Sequence, residues 1–475
     1  MPVHDELDTR IREVIVKLVD TSPPPPPFPR EQLGAVRLHA KHSGSGSRPL
    51  PPRATHGLIV VIAIAAVLTA IFVAPIPQLH LFHSQPTPSH QPTTSTVPNQ
   101  QTSSIAKQVA VLKASDGVAG SCFGSAVAVS GNTAVVGAPC HGPYGRAYVF
   151  TRTATAWKQV AELRPSGAAG SCFGSAVAVS GSTVVVNDAC YSGDTGRDYV
   201  FTREATGWRL TAQLEGSDSA GNDKFGFPVA ISGSTIVAGA FQHAEWTGRA
   251  YVFAKTAGGW KQTAELKGSD TVVGDSFGWS VGISGSTVVV GASGLASGAP
   301  TWDGSGGRAY VFAKTASGWK QTAELKGSDT VATDAFGTSV AISGTTVVVG
   351  AQDARRTGRA YVFTKTANGW TQVAELEGSS AAGLFGYSVG VSGNTILVGA
   401  PVVGEEVSFP SSAPGQAYLY TKTAAGWTQV AELRGSGAVR GDSFGYWVAI
   451  SGATAVVGEP GATARDGGRA YVFRV

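Results

Sequence analysis

Four cysteines, Cys122, Cys140, Cys172 and Cys190, are the residues of this 475-residue chain whose spacing most directly dictates chemistry. Cys122 and Cys140 lie nine residues either side of Gly131, and Cys172 and Cys190 lie nine either side of Gly181. Both glycines sit in tight-turn sequences, Ser130-Gly131-Asn132-Thr133 and Ser180-Gly181-Ser182-Thr183, between apolar runs. In an antiparallel hairpin, residues equidistant from the turn face each other with Cβ atoms ~4.5–5.5 Å apart. That is near the separation a disulfide needs once the strands adjust. Four cysteines allow three pairings, and the spacing predicts Cys122–Cys140 and Cys172–Cys190. A one-residue shift of the turn would weaken the geometry.

Other reactive residue types are sparse. Beyond residue 106 the only histidines are His141 and His243, in loops of different repeats. No Ser-His-Asp set, histidine cluster or cofactor motif stands out, so the reading assigns no catalytic residue, no metal and no cofactor. Acidic pairs recur at Asp218/Asp223, Asp270/Asp275 and Asp329/Asp334. They are read as capping turns rather than as a cation site. Arg440-Gly441-Asp442 spells an adhesion tripeptide, but Gly-Asp-Ser-Phe-Gly already occurs at Gly274–Gly278, so only the arginine is new.

The elements that hold these residues repeat. Phe-Gly recurs at Phe123, Phe173, Phe225, Phe277, Phe336, Phe385 and Phe444, at intervals of 49 to 59 residues. Each is followed by a run like SVAISG, one like STVVVGA, a variable loop, GRAYVF, a KTAxG turn, and W-x-Q-x-A-E-L. The tryptophan opening that last run is Trp157, Trp208, Trp260, Trp319, Trp370 or Trp427. RAYVF and WKQTAEL alternate with the period of half-buried strands, and TVVV is the continuous run of a strand covered on both faces. Four strands in each repeat of this length are a propeller blade. The repeat region opens at Lys107 with KQVAVL, a fourth strand, and ends at Val475 on a third strand. The first strand in sequence therefore completes the last blade. The expected fold is all-β: a seven-bladed β-propeller over residues 106–475, closed between its N- and C-terminal strands.

FG-x-S-V, V-V-G-A-P, GRAYVF and W-x-Q-x-A-x-L together resemble the FG-GAP repeat of integrin α-subunit propellers, and bacterial variants of it still more. The resemblance spans residues 106–475 and implies an extracellular binding or adhesion role, although fold alone does not fix function. Integrin-type repeats often hold Ca²⁺ in an Asp-rich loop where this chain has Ser-Gly-Asn-Thr. Such a turn cannot supply the 6–8 oxygens Ca²⁺ takes, so calcium sites are not carried over.

The loops between second and third strands vary most, and alternate turns of a blade share one rim. Binding residues concentrate on variable loops held by a rigid scaffold. The ligand-binding candidates there are Tyr144, Tyr191, Phe241, Trp246, Trp302, Arg355, Arg356, Glu405, Glu406 and Phe409.

Before the repeats, Gly57–Ile76 is a twenty-residue apolar run without a charge, the length of a membrane-crossing helix. Eight basic residues between Arg10 and Arg53 precede it, and none lies between Pro77 and Ala106. That asymmetry places residues 1–56 in the cytoplasm and the propeller outside, at the plasma membrane. The tail carries a short amphipathic helix at Asp5–Val19 and five prolines at Pro23–Pro27. Residues 77–105, rich in Pro, Ser, Thr and Gln, form a stalk. A net charge of +4 gives no sign of a nucleic-acid partner. The expected function is a non-enzymatic, membrane-anchored module binding a protein or carbohydrate on the variable-loop face. The alternatives are a propeller lyase or hydrolase acting on an extracellular polymer, and a receptor signalling through its tail.

Overall fold

The computed structural model describes residues 106–165, 172–294, 306–354, 357–379, 383–402, 414–439, 442–461 and 467–475. The chain divides into two units, Met1–Val97 and Pro98–Val475, and the fold belongs to the second. The expected tail, apolar span and stalk, residues 1–105, lie outside the described residues. Among the described residues no helix is long and apolar enough to cross a membrane.

Seven four-stranded antiparallel sheets make the unit. Blade 1 runs Ala126–Ser130, Thr133–Ala138, Arg146–Arg152 and Trp157–Leu163. Blades 2 to 6 repeat this pattern, with first strands beginning at Phe173, Val229, Phe277, Phe336 and Ser388. First strands of neighbouring blades pack closely while fourth strands barely touch, so the first strand is innermost and the fourth outermost. Burial follows this order. Second strands such as Thr346–Ala351 are buried at every position, whereas fourth strands such as Gly369–Leu376 alternate exposed and half-buried. The core consists of seven apolar clusters, each joining two adjacent blades.

The Phe-Gly glycine lets the blades approach. It has φ near +90°, as at Gly174 (φ 96°), where residues with a Cβ are strained. A Cβ there would meet the Arg146 carbonyl oxygen of the preceding blade at 2.2 Å. The phenylalanine beside it is buried against the Tyr and Phe of GRAYVF; Phe277, for instance, lies 5.5 Å from Tyr310 and 6.0 Å from Phe312. Phe-Gly therefore recurs because one residue fills the gap between blades and the other permits it to be narrow.

The ring closes as the sequence implies. Lys107–Leu112 is the outer strand of blade 7, paired with Arg469–Arg474 from Lys107↔Arg474 to Leu112↔Ala470. On the hairpin face, the Gly N–H of each Ser-Gly turn donates to the Ser Oγ of the preceding blade. Six such bonds run from Gly181→Ser130 to Gly452→Ser392. The seventh, Gly131 N–H to Ser451 Oγ at 3.1 Å, joins blade 1 to blade 7. A second set lies outside. The Gln of W-x-Q clamps a serine of the incoming linker, and Gln108 grips Ser436 through both amide atoms at 2.8 and 3.0 Å, across the closure.

Both predicted disulfides form, each with Cα atoms 5.3 Å apart. The hairpin register pairs Ser130 with Thr133 and Ala126 with Gly137, which would set Cys122 opposite His141. In blade 2 the register shifts between Phe173 and Val177. Extended from Phe173↔Asp188, the shifted register sets Cys172 opposite Ala189, so the disulfide joins residues one position off the direct cross-strand pair.

Candidate functional site

The variable loops and incoming linkers share one rim, as expected, and the acidic pairs prove structural. The second Asp of each pair closes its turn: Asp223, Asp275 and Asp334 accept the N–H of Ala220, Val272 and Val331 at 2.7, 2.9 and 2.9 Å. Asp442 does the same for Val439 at 3.0 Å and is buried, so this member of the Arg-Gly-Asp sequence is a turn cap. Arg440 and Gly441 lie outside the described residues. The first Asp accepts the GRAYVF tyrosine hydroxyl, as Tyr251→Asp218 and Tyr310→Asp270, both 2.8 Å. The two histidines lock the same network: His243 Nδ1 lies 2.9 Å from Asp223 and His141 Nε2 lies 2.8 Å from Asp116. Burial alone would raise the Asp116 carboxyl, but hydrogen bonds from Tyr148 and His141 outweigh it and hold it below its ordinary range. Among the described residues no group of three or more His, Cys, Asp and Glu could hold a metal.

Blades 2 and 7 depart from this pattern. At the position held by Ala in the other repeats, blade 2 has Asp188 and blade 7 has Glu459, both buried. Glu459 accepts from Tyr471 and Arg469 at 3.2 and 3.1 Å, taking the tyrosine that the first linker Asp takes in blades 3 and 4, a position that is Gly437 here. Burial, then the neighbouring Asp442 charge, raises its carboxyl to about 7. Blade 2 also replaces the cross-strand Gly–Ala pair of other blades with Asn187 and Asp198. The Asn187 amide donates to Asp198 and to the Phe225 carbonyl of blade 3 at 3.0 and 2.9 Å, and burial raises Asp198 to about 7.

On the ring axis, at the variable-loop face, opens a cavity of about 780 Å³. Its wall is built from the residue that follows each Phe-Gly: Phe227, Trp279, Tyr387 and Tyr446 from blades 3, 4, 6 and 7, and Ser125, Ser175 and Thr338 from blades 1, 2 and 5. Trp447, Phe241, Gln352 and the disulfides add to it, and Lys224, paired with Asp194 at 2.9 Å, is its charged residue. Phe241 lies 4.8 Å from Trp279 and 6.3 Å from Phe227, and Tyr387 lies 5.0 Å from Tyr446. Burial, with Tyr446 alongside, raises the Tyr387 hydroxyl well above its ordinary value.

Of the described rim residues singled out from sequence, Phe241 alone lines this cavity, and it is buried. Trp246 packs on it at 5.7 Å from a left-handed backbone (φ 66°), a conformation costing about 1–3 kcal/mol. Tyr191 lies under the Arg197 guanidinium at 3.7 Å, and Tyr144 is exposed. Trp302, Arg355, Arg356, Glu405, Glu406 and Phe409 lie outside the described residues. The axial residues escaped notice because they sit inside the constant motif FG-x-S-V. The signal was present: x is Ser, Ser, Phe, Trp, Thr, Tyr and Tyr while the Phe-Gly before it and the Val two residues after it do not change.

A closed seven-bladed ring with an aromatic axial mouth defines a β-propeller with a candidate ligand site on its axis. The FG-GAP repeat family matches residues 106–150, 208–253, 260–312, 319–363, 370–420 and 427–473, and the chain belongs to it. The unmatched stretch holds most of blade 2, the blade with Asn187 and Asp198. No curated protein matches the sequence significantly. Among solved structures, a chain described as "Crystal Structure of Mitotic Checkpoint Complex" is 12% identical with a TM-score of 0.45, covering 83% of this chain and 99% of that one. A likeness that slight carries no functional meaning.

Proposed function

We propose that the chain is a membrane-anchored surface module that binds a protein or carbohydrate at the variable-loop face without catalysis. The observation that carries this is the axial cavity, where four aromatic side chains gather at one position of the repeat. Apolar aromatic walls with a few polar groups make a ligand site. Among the described residues its wall carries no carboxylate, and a carboxylate-driven hydrolase uses a flanking pair. For the anchor, the support is the uncharged Gly57–Ile76 run and its basic N-terminal flank. Two disulfides fit a domain exported from the reducing cytoplasm. The test joins both halves. Protease added to intact cells should release the propeller from within residues 77–105 and spare the basic tail. The released wild-type propeller should bind immobilised envelope or cell-surface material, and a Trp279→Ala/Tyr446→Ala propeller should not. A released tail overturns the orientation, and undiminished binding by the double variant overturns the site.

A further inference from the structure

The order of side chains around the axis gives the cavity a shape as well as a character. Phe227 and Trp279 of adjacent blades 3 and 4, thickened by Phe241 behind them, make one aromatic wall. Tyr387 and Tyr446 of adjacent blades 6 and 7 make a second, with Trp447 beside them. In a seven-membered ring these pairs stand nearly opposite. The two gaps between them are filled by small polar residues: Ser125 and Ser175 at one end, Thr338, Ser339 and Gln352 at the other. The cavity is therefore a slot, aromatic along both sides and polar at both ends.

The polar ends have a definite sense. Ser125 Oγ donates to the Cys122 carbonyl at 2.8 Å, Ser175 Oγ to Asn187 Oδ1 at 2.9 Å, Thr338 Oγ1 to the Ala335 carbonyl at 2.6 Å and Ser339 Oγ to the Gly386 carbonyl at 2.7 Å. Each hydroxyl has one proton and two lone pairs. With the proton committed to the protein, what these four hydroxyls offer a ligand is an acceptor, and the Gln352 amide adds a donor beside them. A matching ligand brings hydroxyl donors at its edges and apolar faces between them. Among the described residues the charged one on the wall is Lys224, already held by Asp194.

We propose that this slot binds a neutral sugar ring, clamped between the Trp279 and Tyr446 walls with its hydroxyls donating to the serine and threonine oxygens. A pyranose offers C–H faces for aromatic stacking and a rim of hydroxyl donors, and about 780 Å³ falls within the ~300–1,000 Å³ of small-molecule sites. The assignment rests on the binding-module reading and names its ligand class.

The full-length chain is titrated with neutral tetrasaccharides of glucose, mannose, galactose and N-acetylglucosamine, read by calorimetry and tryptophan fluorescence. A tetragalacturonate and an Arg-rich peptide serve as charged comparators. At least one neutral sugar should saturate at one site per chain and change the fluorescence. Trp279→Ala and Tyr446→Ala should each weaken it about tenfold or more, about 1.4 kcal/mol or more. Thr338→Val, which keeps shape and removes the acceptor, should weaken it less, and Val373→Ala on the outer strand should leave it unchanged. Melting curves identify any variant that has lost its fold. No binding by any neutral sugar, or binding indifferent to Trp279→Ala and Tyr446→Ala, overturns the proposal. Binding of the peptide alone, lost in the same two variants, overturns the sugar assignment while leaving the binding-module reading intact.

Discussion

The two faces of the propeller are built on opposite rules. On the hairpin face the same Ser-Gly turn appears in every blade and the same Gly-to-Ser hydrogen bond links it to its neighbour, all the way round. On the variable-loop face each blade differs: a disulfide in blades 1 and 2, histidine locks in blades 1 and 3, a buried Glu459 in blade 7, and an axial residue that runs from Ser to Trp. Identical turns can close a ring only if every junction has the same geometry, so that face is held constant. The other face is free to diverge because its junctions are sealed below it by Phe-Gly packing. Stability and recognition are thereby assigned to different ends of the same strands.

That division can be broken experimentally. The largest effect should come from deleting Lys107–Leu112, which strips the outer strand from blade 7 and its Gln108 clamp. We expect a loss of several kcal/mol, a large fraction of a domain's ~5–15 kcal/mol, seen as a sharp drop in melting temperature. Next, removing either disulfide as a Cys→Ser pair should cost about 3 kcal/mol in the chain-entropy model. Because Cys140, Cys172 and Cys190 line the axial cavity, ligand binding should fall as well, and calorimetry on the reduced and oxidised protein measures both.

A pH profile sharpens the contrast. Glu459 titrates near 7 in the folded protein, above its ordinary 4.5, so the folded state holds its proton more tightly than the unfolded state. The stability that proton confers is fully present below about pH 4.5 and is lost as pH rises to about 7, after which the curve is flat. Asp198, raised from 3.8 to about 7, acts in the same direction. Glu459→Gln should flatten part of that decline, and melting temperatures from pH 4 to 8 test it. The smallest effect belongs to the constant face. Ser451→Ala removes one bond of the turn ring, the one to Gly131, and should cost about 0.5–1.5 kcal/mol with ligand affinity unchanged. If affinity fell instead, the separation of the two faces would be wrong.

The blade count, the closure strand and the disulfide pairs were legible because each follows from a regularity: a repeat, a missing fourth strand, a symmetry about a turn. The axial site was not, because a position that points at the ring axis is visible only once seven copies are placed around it. Trp246 and Tyr191 looked like free rim anchors, yet one packs on Phe241 and the other lies under Arg197. Sequence variability showed which loops differ but not which side chains a neighbouring loop covers. Blade 2 shows the same limit: Asn187 and Asp198 stand eleven residues apart on different strands, and the fold joins them in one buried bridge.

The closing strand also settles how the ring bears load. The chain enters it at Lys107, beside Arg474 at the hairpin end of blade 7, and the axial mouth opens at the far end of the same strands. A pull applied at Lys107 along its own strand, with the propeller held at the mouth, would load that strand from its hairpin end. It shears the whole Lys107–Leu112 ladder together instead of peeling it one bond at a time. A ladder loaded in shear must give up its hydrogen bonds almost at once, so a pull in that direction would meet the resistance of the whole seam where the two strands meet.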